Sequence, residues 1–366
     1  MKYHVLISNW PQKYLLLAIV AIKIFGIFFA VHIFAKYTPL VDSNLYLQDE
    51  MKFELAMRTR LINDMAVYFN NVGGAYFAHF LFSLFSTAGL LYYYVTGGRR
   101  WILLIFLLLP SSLVWTSIVG KEAIYFGATG VAIVIWSKYA VEKITSYDFI
   151  FLAIAMFVCA MFRPHYALAL GWLFFSTYIL KNFGQNSSKI LMASLLLLAF
   201  CVYFFSWEAL LLRGFGGIDP SARSSRFDLL GINHSTDEGY LKYKSMILIG
   251  LIWGIIGPTP SEISQRFEFL PFFVEGIFIL LMPILGVVLA SRIKIGYKNY
   301  FYRVFFFSLV PAIVILLFIH APFGFLNPGS AIRWRVNFEQ MFYLAPMLLI
   351  FRFMDVITKE NSSFSS

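Results

Sequence analysis

The sequence predicts an all-α polytopic membrane protein, a bundle of about ten spanning helices with two long polar segments on one face. Three observations carry this. Hydrophobic residues fill 60% of the 366 positions and charged residues 13%, with a mean hydropathy of +0.75, more apolar side chain than a soluble core can bury. The apolar residues gather into repeated runs separated by short polar breaks, and the 41 Phe and 21 Tyr suit lipid-facing and interfacial positions. The basic residues, finally, are distributed unevenly along the chain.

Residues 1–13 are short, polar and basic. The run 14–35 is long enough to cross a hydrocarbon core of about 30 Å. A cleaved signal peptide is the rival reading; without a clear small-residue cleavage site, an uncleaved anchor is favoured. Further spans are expected at 75–95, 101–118, 123–136, 149–161, 167–180, 190–205, 271–290, 304–320 and 342–353. The apolar run 246–257 is short and ends before Pro258 and Pro260, so it reads as re-entrant or interfacial. Cys159 and Cys201 fall within apolar runs and read as small hydrophobes, without disulfide or metal. No repeat or linker interrupts the chain, which is read as a single domain over 1–366.

Orientation follows from the bases. With Met1 inside, the inner segments hold fourteen Lys and Arg against four Asp and Glu, while the outer segments are nearly balanced. This is the positive-inside pattern, with both termini cytoplasmic. The net charge of +10 therefore reports topology, and nucleic acid drops out as a partner. The outer face receives the segments 36–74 and 206–270, plus shorter connections around Lys121, Arg163 and Arg333.

The segment 39–70 contains the first acidic residues, Asp42, Asp49, Glu50, Glu54 and Asp64. Leu47, Met51, Leu55, Ile62, Met65 and Phe69 recur there at helical spacing, which predicts an amphipathic helix at the membrane surface. Asp42 is either a helix N-cap or a general base. Asp49 and Glu50 suit a solvated face. Lys121 and Glu122 form a turn between two apolar runs: a tight ion pair opening a helix, or groups lining a cavity. In FRPHYAL, Arg163 and His165 flank Pro164, as interfacial side chains or as a phosphate clamp beside a His donor. Arg213 and Arg226 lie in the large outer segment, Arg213 directly after an apolar LLL and suited to an anionic headgroup. Arg333 and Arg335 bracket Trp334 before the last span, suited to phosphate or to interfacial anchoring. Lys23 and His32, in the first span, are expected to face the bundle interior. No P-loop, HExxH, GxSxG or CxxC pattern occurs, which argues against a nucleotide-driven pump, a zinc protease and a nucleophile-elbow hydrolase.

This layout resembles the GT-C class of integral membrane glycosyltransferases, with an acidic first external loop and a second large external loop. The segments PSSLVWTSIVGKE, FRPHY and GSAIRWR also resemble bacterial O-antigen and capsule polymerases. The paired acidic motif of several GT-C subfamilies is absent at Asp42, as is the Arg-x10-Gly pattern of some O-antigen polymerases. The resemblance implies a GT-C-like architecture and glycan transfer at the periplasmic face of a bacterial inner membrane. Donor and acceptor would be glycans on polyprenyl (pyro)phosphate, undecaprenyl in type, with a chain-length regulator as an accessory partner. It implies Asp42 as base and His165 as a second candidate. Lys121, Arg163, Arg213, Arg333 and Arg335 would hold phosphate, with Glu50, Glu122 and Arg226 as secondary candidates. No cofactor is required; a divalent metal at the acidic residues is compatible with the chemistry. A transferase adding one sugar and a lipid-linked oligosaccharide flippase are the alternatives; a membrane acyltransferase using His165 is a weaker third.

Overall fold

The computed structural model describes residues 10–38, 40–48, 57–201, 250–291, 293, 295–326 and 328–363. Among these the chain is helical and contains no β-strand. Among the described residues, five helices are long and apolar enough to cross a membrane: Gln12–Lys36, Lys121–Val141, Phe267–Ala290, Gly296–Ala321 and Ile332–Ile357. Met57–Ser86 with Ala88–Val95, bent by 55°, makes a sixth if the pair is one span.

This is fewer than the ten runs read from hydropathy, for identifiable reasons. The run 101–118 is no single helix: a 3-10 stretch, Trp101–Leu108, is followed by the short helix Pro110–Trp115, with Pro110 at its first position. The run at 149–161 forms helix Ser146–Phe162, of 17 residues, shorter than the ~20 that usually span, and the run at 190–205 is described only as far as Cys201, within helix Ser187–Cys201. Residues 202–249, including much of the second outer segment, lie outside the described residues.

The chain folds as two compact units, Met1–Ala167 with Val336–Arg352, and Leu168–Arg335 with Phe353–Ser366. In the first unit we number α1 Gln12–Phe28, α2 Val41–Tyr46, α3 Met57–Ser86, α4 Ala88–Val95, α5 Pro110–Trp115, α6 Lys121–Val141 and α7 Ser146–Phe162. Helix α6 is its centre, with Val131–Trp136 wholly buried. Small residues let its neighbours close in: a Cβ on Gly127 would run into the Phe85 carbonyl, and one on Gly89 would lie 2.5 Å from the Gly130 Cα. Helix α3 occupies part of the segment expected to be an outer loop. It breaks at Gly74, whose φ of 81° only glycine adopts without strain, at the boundary where hydropathy places the start of a span. Helix α7 opens with a capping box, Thr145 Oγ1 accepting from the Asp148 N–H while the Asp148 carboxylate accepts from the Thr145 N–H at 2.6 Å. The same carboxylate accepts from Lys138 at 2.7 Å and Tyr92 at 2.5 Å, tying α4, α6 and α7 together at one end.

Lys23 is fully buried in this unit, donating to the Thr116 hydroxyl at 2.6 Å and the Thr116 carbonyl at 3.4 Å. One turn earlier, Ser112 donates to the buried Glu339 carboxylate at 2.5 Å, which also accepts from Tyr343 at 3.3 Å. The segment 112–116 is thereby held between a cation and an anion. His32 does not follow the expectation of an inward face: its ring is exposed and stacks on Tyr76, whose hydroxyl lies 2.8 Å from Nε2.

In the second unit, residues 250–256 form a short helical segment that stops at Gly257, with φ 97°. Thr259 and Glu262 form a capping box for α8, Pro260–Gln265, and α9, Leu270–Ala290, follows. Gly276 of α9 lets the Ile255 and Ile256 carbonyls approach its backbone. A helix end placed among apolar neighbours leaves carbonyls that need donors. Arg335 supplies them, donating to Ile255 O at 2.6 Å and to Ile256 O at 3.4 Å.

Candidate functional site

Lys121, Glu122, Arg163 and His165, singled out from sequence, lie on neighbouring connections of the first unit, and Lys121 reaches the short helix that carries Asp42. Asp42 is exposed on the first turn of α2. The other end of α2 is pinned to α3, because the Asn63 amide donates to the Tyr46 and Gln48 carbonyls, both at 3.0 Å. Tyr46 is four residues after Asp42, on the same face of that turn. The Lys121 ammonium lies 5.8 Å from the centre of the Tyr46 ring and donates to Thr59 Oγ1 on α3 at 2.6 Å. Lys121 thus reaches the helix that carries Asp42.

Lys121 and Glu122 open α6, where a carboxylate suits the helix dipole. Glu122 is only 2% exposed and pairs with Arg163, 13% exposed, at 3.2 Å. Arg163 joins α7 to a helix that starts at Pro164 and runs to Asn182, the proline taking the first helical position. Arg58 donates to the Phe162 carbonyl at 3.4 Å, covering the end of α7. His165 is half-buried with its ring 4.3 Å from Tyr166, and Tyr166 packs on Phe338 at 5.1 Å. The strap 116–120 leading into Lys121 is fixed at both ends. Lys23 binds Thr116, and the Val119 N–H donates to His79 Nδ1 at 3.0 Å, which places the proton of a neutral His79 on Nε2.

This end carries an exposed carboxylate, an ammonium, a half-buried imidazole and a guanidinium compensated by Glu122. Such a set can accept a proton from a hydroxyl and stabilise an anion, with Lys121 and Arg58 as further cations beside the Glu122–Arg163 pair. Sequence reading missed Arg58, Thr59, Asn63, Tyr46 and His79 as parts of the site.

The other expectations fall elsewhere. Arg333 and Arg335 belong to the second unit. Arg335, expected at the mouth of the bundle, is fully buried, with its guanidinium 2.6 Å from Glu275 and donating to the Phe272 carbonyl at 3.2 Å. Its work is structural there, capping the 250–256 segment. Arg333 is half-buried. Glu50, Arg213 and Arg226 lie outside the described residues. Among the described residues no group of three or more His, Cys, Asp or Glu is arranged to hold a metal.

No protein-family model, curated protein or solved structure matches this chain.

Proposed function

We propose that this chain is a membrane glycosyltransferase acting on polyprenyl (pyro)phosphate-linked saccharides at the periplasmic face of a bacterial inner membrane, a repeat-unit polymerase of GT-C-like architecture. The observation that supports the reading is the grouping of Lys121, Glu122 and Arg163 at one end of the first unit, with the 3.2 Å ion pair and Lys121 5.8 Å from the Tyr46 ring of the short helix that carries Asp42. Asp42 takes the proton of the acceptor hydroxyl, whose oxygen bonds to the donor's anomeric carbon. The bond from that carbon to the phosphate oxygen breaks, and the departing (pyro)phosphate keeps the electron pair. Lys121 and Arg163 lie where that charge develops, and His165 is the second candidate for the base.

The flippase reading draws on the buried charges Lys23, Glu339, Glu275 and Arg335 within candidate spans. It is weaker, because these groups are engaged within the fold: Glu275 pairs with Arg335, Lys23 donates to Thr116, and Glu339 accepts from Ser112. Purified protein given a lipid-linked repeat unit separates the readings. A ladder of products supports a polymerase, one added sugar a single-sugar transferase, and no new glycosidic bond rejects both.

A further inference from the structure

Non-helical backbone buried inside a protein has to find side-chain partners for its polar groups, since neither water nor a helical ladder supplies them. The strap 116–120, TSIVG, is such a segment. All five residues are buried, between the end of α5 and the start of α6. Thr116, at its head, accepts from Lys23. Near its tail, the Val119 N–H donates to His79 Nδ1 at 3.0 Å. His79 is 5% exposed and belongs to the part of α3 beyond the Gly74 break. Among the described residues, that N–H is its one hydrogen-bond partner.

The residues that follow the strap are those of the candidate site. Gly120 precedes α6 with extended backbone, and the Glu122 carboxylate folds back over it, so that a Cβ there would lie 3.0 Å from Glu122 Oε2. The other oxygen of that carboxylate, Oε1, pairs with Arg163 at 3.2 Å. Lys121, in the same turn, reaches Thr59 and the Tyr46 ring. Gly120 has no side chain to cap the helix, so the start of α6 takes its place from the strap.

We propose that His79 is a positioning residue for Lys121 and Glu122: its Nδ1, by holding the Val119 N–H, sets where the first turn of α6 begins. A ring nitrogen accepts only when it carries no proton, and in histidine this one is bonded directly to Cγ. The amide oxygen of an asparagine is also bonded to Cγ, whereas that of a glutamine lies one carbon further out. Asparagine therefore replaces the acceptor in place, and glutamine does not. The bearing of His79 on catalysis rests on the glycosyltransferase reading; its hold on the strap does not.

The test compares His79→Asn, His79→Gln and His79→Leu in the full chain in detergent. Its first readout is the rate at which acetic anhydride modifies Lys121, located by mass spectrometry and taken relative to Lys138 near the other end of α6. Lys138 is held by Asp148 at 2.7 Å, so the ratio cancels a general loosening of the helix. The ratio should rise about fivefold in His79→Gln and His79→Leu, the change in population that loss of an ordinary hydrogen bond allows, and stay near wild type in His79→Asn. The second readout is glycan extension on a lipid-linked repeat unit. There His79→Gln and His79→Leu should lose about tenfold or more in kcat, as when reacting groups are misplaced by a fraction of an ångström, and His79→Asn should recover most of that loss. If His79→Leu does not fold, the Asn and Gln variants carry the comparison between them. An unchanged ratio in the Gln and Leu variants would overturn the proposal. A disturbance in His79→Asn as large as in His79→Gln would overturn it too, as would extension that merely follows the unfolding midpoint across the series. The expected ratios from a chain that forms no glycosidic bond would reject the transferase reading and support the hold of His79 on the strap.

Discussion

Arg163 and Glu122 meet at 3.2 Å from two different interhelical connections, with side chains 13% and 2% exposed. The pair joins the start of α6 to the end of α7, so it sets the geometry of the candidate site. Its two halves are not equivalent to remove. Glu122→Gln leaves a guanidinium without its counter-charge, and Arg163→Gln leaves a nearly buried carboxylate. Each should destabilise by up to about 3 kcal/mol in a denaturant titration, and the double variant should lose less than the sum.

Lys23 and Glu339 bracket the segment 112–116 without forming a direct ion pair, through Thr116 and Ser112. Lys23→Met should destabilise the chain, and so should Glu339→Gln. Because both act on one turn of helix, a double-mutant cycle should return a coupling of at least about 0.5 kcal/mol. Strict additivity would show that the two ends of the segment are independent.

Arg335 and Gly276 serve one feature, the buried end of the 250–256 segment. Arg335→Met removes donors from the Ile255 and Ile256 carbonyls and strands Glu275, at a cost of about 3–5 kcal/mol. Gly276→Ala drives a methyl group into the same carbonyls. Both variants should expose the region around Gly257 to proteolysis in detergent, while Arg333→Gln should not.

Asp148, in the first turn of α7 ahead of the apolar run that starts at Phe149, supplies a pH test. Burial alone would raise its carboxyl; hydrogen bonds from Lys138, Tyr92 and Thr145 outweigh that and hold it well below the usual carboxylate range. A lowered folded pKa gives stability that is complete above the unfolded value, about 3.9. That stability is lost as pH falls through the folded value. The difference in unfolding free energy between wild type and Asp148→Asn should be the same at pH 7 and pH 5, about 1 kcal/mol or more from the lost cap, and should shrink below pH ~4.

The helical class and several span positions were legible because burial in lipid writes itself into composition. The break at Gly74 was legible as the end of a polar segment, and the Arg163–Pro164 turn as a motif. The stretch 101–118 was not, since its apolar run looks the same whether it forms one long helix or a 3-10 stretch followed by a short one. The Glu122–Arg163 pair left only a trace, because residues 41 positions apart show their contact through no local periodicity. Arg335 misled for a related reason. Next to Trp334 it reads as an interfacial anchor, and only the position of Glu275, 60 residues earlier, turns it inward.

Glycan extension by Asp42→Asn and Lys121→Gln, assayed on a lipid-linked repeat unit with membrane insertion checked alongside, bears most directly on the polar end of the first unit as a reaction centre. Both variants should insert normally, and polymer should vanish or fall at least about a hundredfold, as when a positioned base or anion-stabilising group is lost. A full-length ladder from either one would contradict that residue's assignment, and from both would remove the site.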